Sequence, residues 1–240
     1  MREKSYIAPR VSGGLAPRIP GQMGVLPLAV SRLPALPPVI PRRPSARVHS
    51  PPPRYQEMRT GWKRLNVPRV LYLVISGAPA SEGLPSLVTL IQDSGWRVVV
   101  FSTPTGTRFA DLDELEQLTG QPVRSEYRMP GTGERTPPAD AVLACPLTFN
   151  SVSKFAHGHA DNFAVGLLCE MVGYEVPVVA VPHCKPQLAS HPAFTASLET
   201  LRGMGVCVLF DPVAPYESRL PSWAEVTAAL PGAATQGVTR

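Results

Sequence analysis

The sequence predicts a doubly wound α/β protein, a parallel sheet with helices on both faces, behind a disordered N-terminal extension. Three observations carry this. The composition changes sharply near residue 66. Five short apolar runs follow, with helix-like segments between them. The loops after the first two runs are rich in small and hydroxyl-bearing residues.

The 240 residues divide unevenly by charge. Residues 1–66 hold twelve Lys and Arg against two Asp and Glu, with twelve of the 29 prolines. Eleven basic and sixteen acidic residues remain for the rest. The net charge of +5 thus combines a strongly basic tail with an acidic body. A basic pI of this origin is no argument that the folded part binds nucleic acid. Prolines as dense as those in PALPPVIPRRP (34–44) block helices and interior strands, so residues 1–66 are expected to be disordered. Pro27 and Pro34 interrupt the apolar stretch there, so it is expected to be neither a membrane span nor a good signal-peptide core. Met58 is a plausible true start. The folded domain is expected over 67–232, with a flexible tail at 233–240.

VLYLVIS (Val70–Ser76) is a continuous apolar run, as in a strand covered on both faces. LPSLVTLIQDSG follows with helical spacing and stops at Gly95. WRVVVFST (Trp96–Thr103) is the second strand, and RFADLDELEQLTG (Arg108–Gly120) an amphipathic helix. DAVLACP (Asp140–Pro146) is the third strand, followed by a helix that breaks at Gly158. VPVVAVP (Val176–Pro182) is the fourth. HPAFTASLETLRGMG (His191–Gly205) is a helix, and VCVLFDP (Val206–Pro212) the fifth strand. Cys145, Cys169, Cys184 and Cys207 show no C-x-x-C spacing, so no zinc site is expected. Cys145 and Cys207 sit in strand-like runs and are expected to be buried free thiols. With no export signal, the expected compartment is the cytoplasm.

Ligands of such sheets sit at the carboxyl ends of the strands. SGAPASEG (Ser76–Gly83) follows the first strand and STPTGTRF (Ser102–Phe109) the second. Backbone N–H groups, helix dipoles and hydroxyls there suit a phosphate, although ordinary caps and turns use the same residues. Neither loop is a Walker A motif or a G-x-G-x-x-G. ACPLTFNSVSKFAHGHADN (Ala144–Asn162) follows the third strand. His157 and His159, two apart, are expected to face different sides of a helix, against a shared metal.

That stretch resembles the family of homo-oligomeric flavin-containing cysteine decarboxylases, whose pattern runs roughly A-P-x-[ST]-A-N-T-x-x-K-x-A-x-G-x-A-D-N. The matching residues are Ala144, Pro146, Thr148, Asn150, Ser151, Lys154, Ala156, Gly158, Ala160, Asp161 and Asn162. Thr103, Pro104, Thr105 and Phe109 resemble the family's second loop, and Ser76, Gly77 and Ala80 its first. The resemblance spans about 68–212. It implies a Rossmann-like three-layer flavoprotein fold, non-covalent FMN and a trimer-based homo-oligomer. It further implies that Ser76 and Ser81 meet the phosphate, and that Thr103 and Thr105 approach the phosphate or ribityl chain. The turn from Pro146 through Thr148 to Asn150 would run along the isoalloxazine ring, and Gly77 and Ser151 complete the cofactor-binding set. Asp161 and Asn162 fit equally a role in capping the broken helix.

Within that motif Phe149 replaces a small residue and Ser151 replaces Thr, and two further positions depart from the family. Its His shortly before the third strand falls on Thr132 here, and no His lies between His49 and His157. Thr is no base near neutral pH. Its substrate clamp, P-x-M-N-x-x-M-W, reads Pro182 to Ala189 here, with Lys185 in place of the Asn. Lys185 remains a candidate substrate contact through a carboxylate. The expected function is an FMN-dependent enzyme acting on a small or peptidyl thiol-bearing carboxylate, with altered decarboxylase chemistry. A flavin-binding regulatory subunit without turnover and a prenyl-flavin synthase are the alternatives.

Overall fold

The computed structural model describes residues 68–232 apart from Pro130, Gly133 and Glu134. The expectations for 1–66 and 233–240 lie outside the described residues. Five parallel strands form one sheet: β1 (Arg69–Ile75), β2 (Trp96–Ser102), β3 (Ala141–Leu147), β4 (Val178–Pro182) and β5 (Cys207–Val208). Their order is β2-β1-β3-β4-β5, so the winding reverses between β1 and β3. β1 pairs along its whole length with β2, from Arg69 opposite Trp96 to Ile75 opposite Ser102. The helices are α1 (Leu84–Asp93), α2 (Leu112–Thr119), α3 (Phe149–His157), α4 (Phe163–Gly173), α5 (Pro186–Ala189), α6 (Pro192–Gly203) and α7 (Trp223–Ala228).

Because strand side chains alternate between faces, each apolar run feeds two cores. Leu71, Leu73 and Ile75 of β1 join Leu87 and Ile91 of α1, Leu115 of α2 and Val226 of α7. Tyr72 and Val74 point the other way, into Val152 and Phe155 of α3, Leu168 of α4 and Phe194 of α6. These are the three layers expected from the sequence. Tyr72 and Phe101 pack edge to face at 4.8 Å, and Phe163 extends the row. Arg69 ties the C-terminal end of the described chain to β1, donating from Nη1 to the Pro231 carbonyl (2.8 Å) while stacking on Trp96.

Several expected boundaries are corrected. The segment after β2 is not one helix from Arg108. A 3-10 helix at Gly106–Arg108 comes first, and α2 starts only after Asp111, whose carboxylate accepts the Glu114 amide (3.0 Å). β4 starts at Val178, since Pro177 has no N–H to donate. β5 has two residues instead of seven, because pairing with β4 ends at Val208 and the chain turns off at Asp211–Pro212. That edge position leaves Cys207 exposed, against expectation, whereas Cys145 in central β3 is buried. Burial pushes the Cys145 thiol far up from its ordinary pKa, so it stays protonated. α5 and α7 were not anticipated.

Candidate functional site

At the carboxyl edge of the sheet, over the β1/β3 reversal, lies a cleft of about 430 Å³. Ligands of open α/β sheets bind at such reversals. The β1 loop contributes Gly77, and the β2 loop Thr103, Pro104 and Thr105. The start of α3 contributes Thr148, Asn150 and Ser151. Lys154, Asp161 and Asn162 close the side formed by the α3–α4 turn.

Buried hydrogen bonds fix the floor. Ser76, 1% exposed, donates its hydroxyl to the Pro146 carbonyl (2.8 Å) and accepts the Thr148 amide (2.8 Å). One side chain therefore locks the end of β1 to the start of α3. Thr103 donates its amide to the Ile75 carbonyl (3.0 Å), while its hydroxyl accepts the Gly106 amide (3.1 Å). The two loops touch at Gly77. A Cβ there would stand 2.8 Å from Thr105 Cγ2 and 3.0 Å from the Phe109 ring.

α3 aims its N-terminus at the cleft. The Thr148 hydroxyl accepts the Ser151 amide (3.3 Å) and lies 3.1 Å from the Ser151 hydroxyl. Asn150 is exposed at this end. Phe149 turns away from the cleft, stacking on Phe194 of α6 at 5.7 Å. The helix end thus offers backbone donors, a positive dipole and a carboxamide, while Phe149 anchors it from behind.

Lys154 and Asp161 form an ion pair across the α3–α4 turn. The Lys154 hydrogen bond, first among the causes, holds the Asp161 carboxyl below its ordinary pKa. The Asn162 amide also donates to Asp161 (2.9 Å), and its carbonyl oxygen caps α4 by accepting the Val165 amide (3.1 Å). Asp161 and Asn162 hold the helix break and also line the cleft.

Of the residues expected at a cofactor, Gly77, Thr103, Thr105, Thr148, Asn150 and Ser151 come together here. Ser76, Ser81 and Pro146 do not line the cleft. Ser81 is 1% exposed, with its hydroxyl on the Ser76 carbonyl (3.4 Å). Lys185 is exposed ahead of α5, also off the cleft, and its carbonyl accepts the Leu188 and Ala189 amides (3.0 Å each). Lys154 was named from the sequence as a motif residue but was given no role at the site. Its signal was an acidic residue seven positions on, beyond a glycine stop. One expectation is corrected: the His157 and His159 rings do not face apart but stack at 6.1 Å. Gly158, at φ 69°, ends the helix between them, so helical spacing no longer applies. Among the described residues no group of three His, Cys, Asp or Glu is placed to hold a metal ion.

The family model described as Flavoprotein matches residues 62–233. The chain belongs to the Flavoprotein family. Among curated proteins, this flavoprotein is 27% identical over 150 residues to the coenzyme A biosynthesis bifunctional protein CoaBC of Mycobacterium bovis. The match covers 60% of this chain and 34% of that protein. The flavoprotein chain thus spans about a third of the length of the curated relatives it matches. Among solved structures, the FMN-dependent cysteine decarboxylase TvaF from thioviridamide biosynthesis superposes with a TM-score of 0.53 at 24% identity, covering 67% of this chain and 98% of that one. A PPC decarboxylase variant complexed with pantothenoylaminoethenethiol gives a TM-score of 0.57 at 17% identity, covering 67% and 95%. These neighbours share the fold, and they are of the decarboxylase kind that the sequence motifs resemble.

Proposed function

We propose that the cleft holds FMN and that the protein is a cysteine-decarboxylase relative with redirected or lost decarboxylation. The observation that carries this is the lining itself: hydroxyls, amides and a helix N-terminus at the β1/β3 reversal, with no imidazole. The residues fit the group. Gly77 lets the first loop pack directly against Thr105 and Phe109 of the second, where a Cβ would clash, and so brings the two hydroxyl-bearing loops together at the cleft. Thr148, Asn150 and Ser151 offer the donors and acceptors that the polar edge of a flavin ring needs. The volume lies within the range of small-molecule sites. Bound FMN would supply two-electron oxidation. The protein would bind and orient it, and the Lys154–Asp161 pair would close the side of the cleft.

The absence of an imidazole from the lining supports the second half of the proposal. Thr132, which falls where the family places its His, donates its hydroxyl to the Met129 carbonyl (2.8 Å) in an exposed turn. The four His among the described residues lie outside the lining. General base catalysis is typically worth roughly 10²–10⁴-fold, so its loss leaves little rate.

The test is product mass after incubating the FMN-loaded protein with phosphopantothenoylcysteine or with a cysteine-ended peptide. No decarboxylated product is expected, with partial recovery in the double variant Thr132→His, Lys185→Asn. Ready decarboxylation by the unmodified protein would overturn the second half and leave FMN binding standing.

A further inference from the structure

A second set of polar atoms lies at the carboxyl edge, outside the cleft. His183 follows β4, and its amide donates to the Leu147 carbonyl (2.8 Å) beside the end of β3. The side chain is 9% exposed, and Nδ1 has no hydrogen-bond partner among the described residues. Arg219 comes just after the 3-10 helix Tyr216–Ser218 and is 7% exposed. Its Nη2 donates to the Ala214 carbonyl (2.9 Å), while Nε and Nη1 have no partner among the described residues.

The segment after β5 brings the two together. The His183 ring lies against the Tyr216 ring at 5.0 Å, and the Arg219 guanidinium lies over Phe210 at 5.5 Å. Burial first, and then the Arg219 charge, lower the His183 pKa, and the same charge acts on the neighbouring Cys184. The Arg219 amide donates to the carbonyl (3.3 Å) of Tyr216, the residue whose ring lies on His183, so the guanidinium and the imidazole occupy one buried neighbourhood. None of the guanidinium hydrogen bonds goes to a carboxylate. A buried charge of this kind is costly unless an opposite charge answers it. Water can accept the hydrogen bonds, but it leaves the charge unanswered.

We propose that Arg219 and His183 form a binding site for an oxyanion, a carboxylate or a phosphate, carried by a ligand seated at the carboxyl edge beside the cleft. Arg is suited to both groups, since its planar donors match their oxygens. His183 adds an Nδ1 donor in the tautomer protonated there. The site uses no cleft residue, so it stands or falls separately from FMN binding.

The experiment uses the full chain with labelled histidine in chloride buffer at constant ionic strength. Inorganic phosphate and acetate are titrated separately while the His183 ring resonances and the melting temperature are followed. The expectation is a saturable shift of His183 with a rise in melting temperature for at least one anion. Phosphate alone would assign a phosphate-bearing ligand, and acetate alone a carboxylate. Arg219→Gln should weaken the binding by about tenfold or more. Because Arg219 also holds the Ala214 carbonyl, that variant can fail to fold. His183→Phe, which keeps a ring against Tyr216, then serves as the second variant and should weaken the melting response to the anion. No saturable His183 shift with either anion, or an unchanged melting response in the folded variants, would overturn the proposal.

Discussion

Ser76 shows how one buried hydroxyl shapes a cleft that it does not line. It donates to one end of the Pro146–Thr148 turn and accepts from the other, at 2.8 Å in both directions. Ser76→Ala should leave the Thr148 amide unmet in a buried place, at a cost of roughly 1–3 kcal/mol. The check is a denaturant titration, and an unchanged midpoint would show that the clamp contributes nothing. Asn150 is the opposite case, exposed and aimed at the cleft, with no part in the core. Asn150→Ala should leave the melting temperature nearly unchanged while weakening FMN retention, by roughly tenfold or more if a polar group on the ring goes unmet. Full flavin content and an unaltered spectrum in the variant would contradict this. Both residues were legible as members of a motif. Their different jobs were not, because a hydroxyl after a strand serves equally to hold the backbone and to hold a phosphate.

Among the elements, the buried strands were the most legible. β1 and β3 are apolar on both faces and only seven residues long, too short for a typical buried helix and right for a strand covered from two sides. Edges and caps were harder. Asp111 delays α2, and two-residue β5 depends on what β4 offers it, which no local run of VCVLF encodes. The α3–α4 break was legible at Gly158, but the ion pair across it was not. This turn also gives a pH prediction. Asp161 has a folded pKa depressed by Lys154, so its contribution is present above the unfolded carboxylate value and is lost as pH falls through the folded value. The Asp161 carboxyl resonance should therefore titrate below the ordinary Asp range, and Lys154→Met should bring it back up. A midpoint of 3.8 or higher in the unmodified protein would contradict the pairing in solution.

For the whole molecule, the strand order β2-β1-β3-β4-β5 brings three loops distant in sequence to one place, and it was the alternation of strands and helices that announced this. The acidic body and basic tail are separate in composition, so the overall pI says little about the cleft. The proposed function turns on whether this cleft binds FMN. It is tested most directly by the absorption spectrum of the purified protein after addition of FMN and desalting, with mass spectrometry of what denaturation releases. Flavin absorbance should travel with the protein, and the released molecule should have the mass of FMN. A folded protein that emerges colourless after exposure to excess FMN would contradict it.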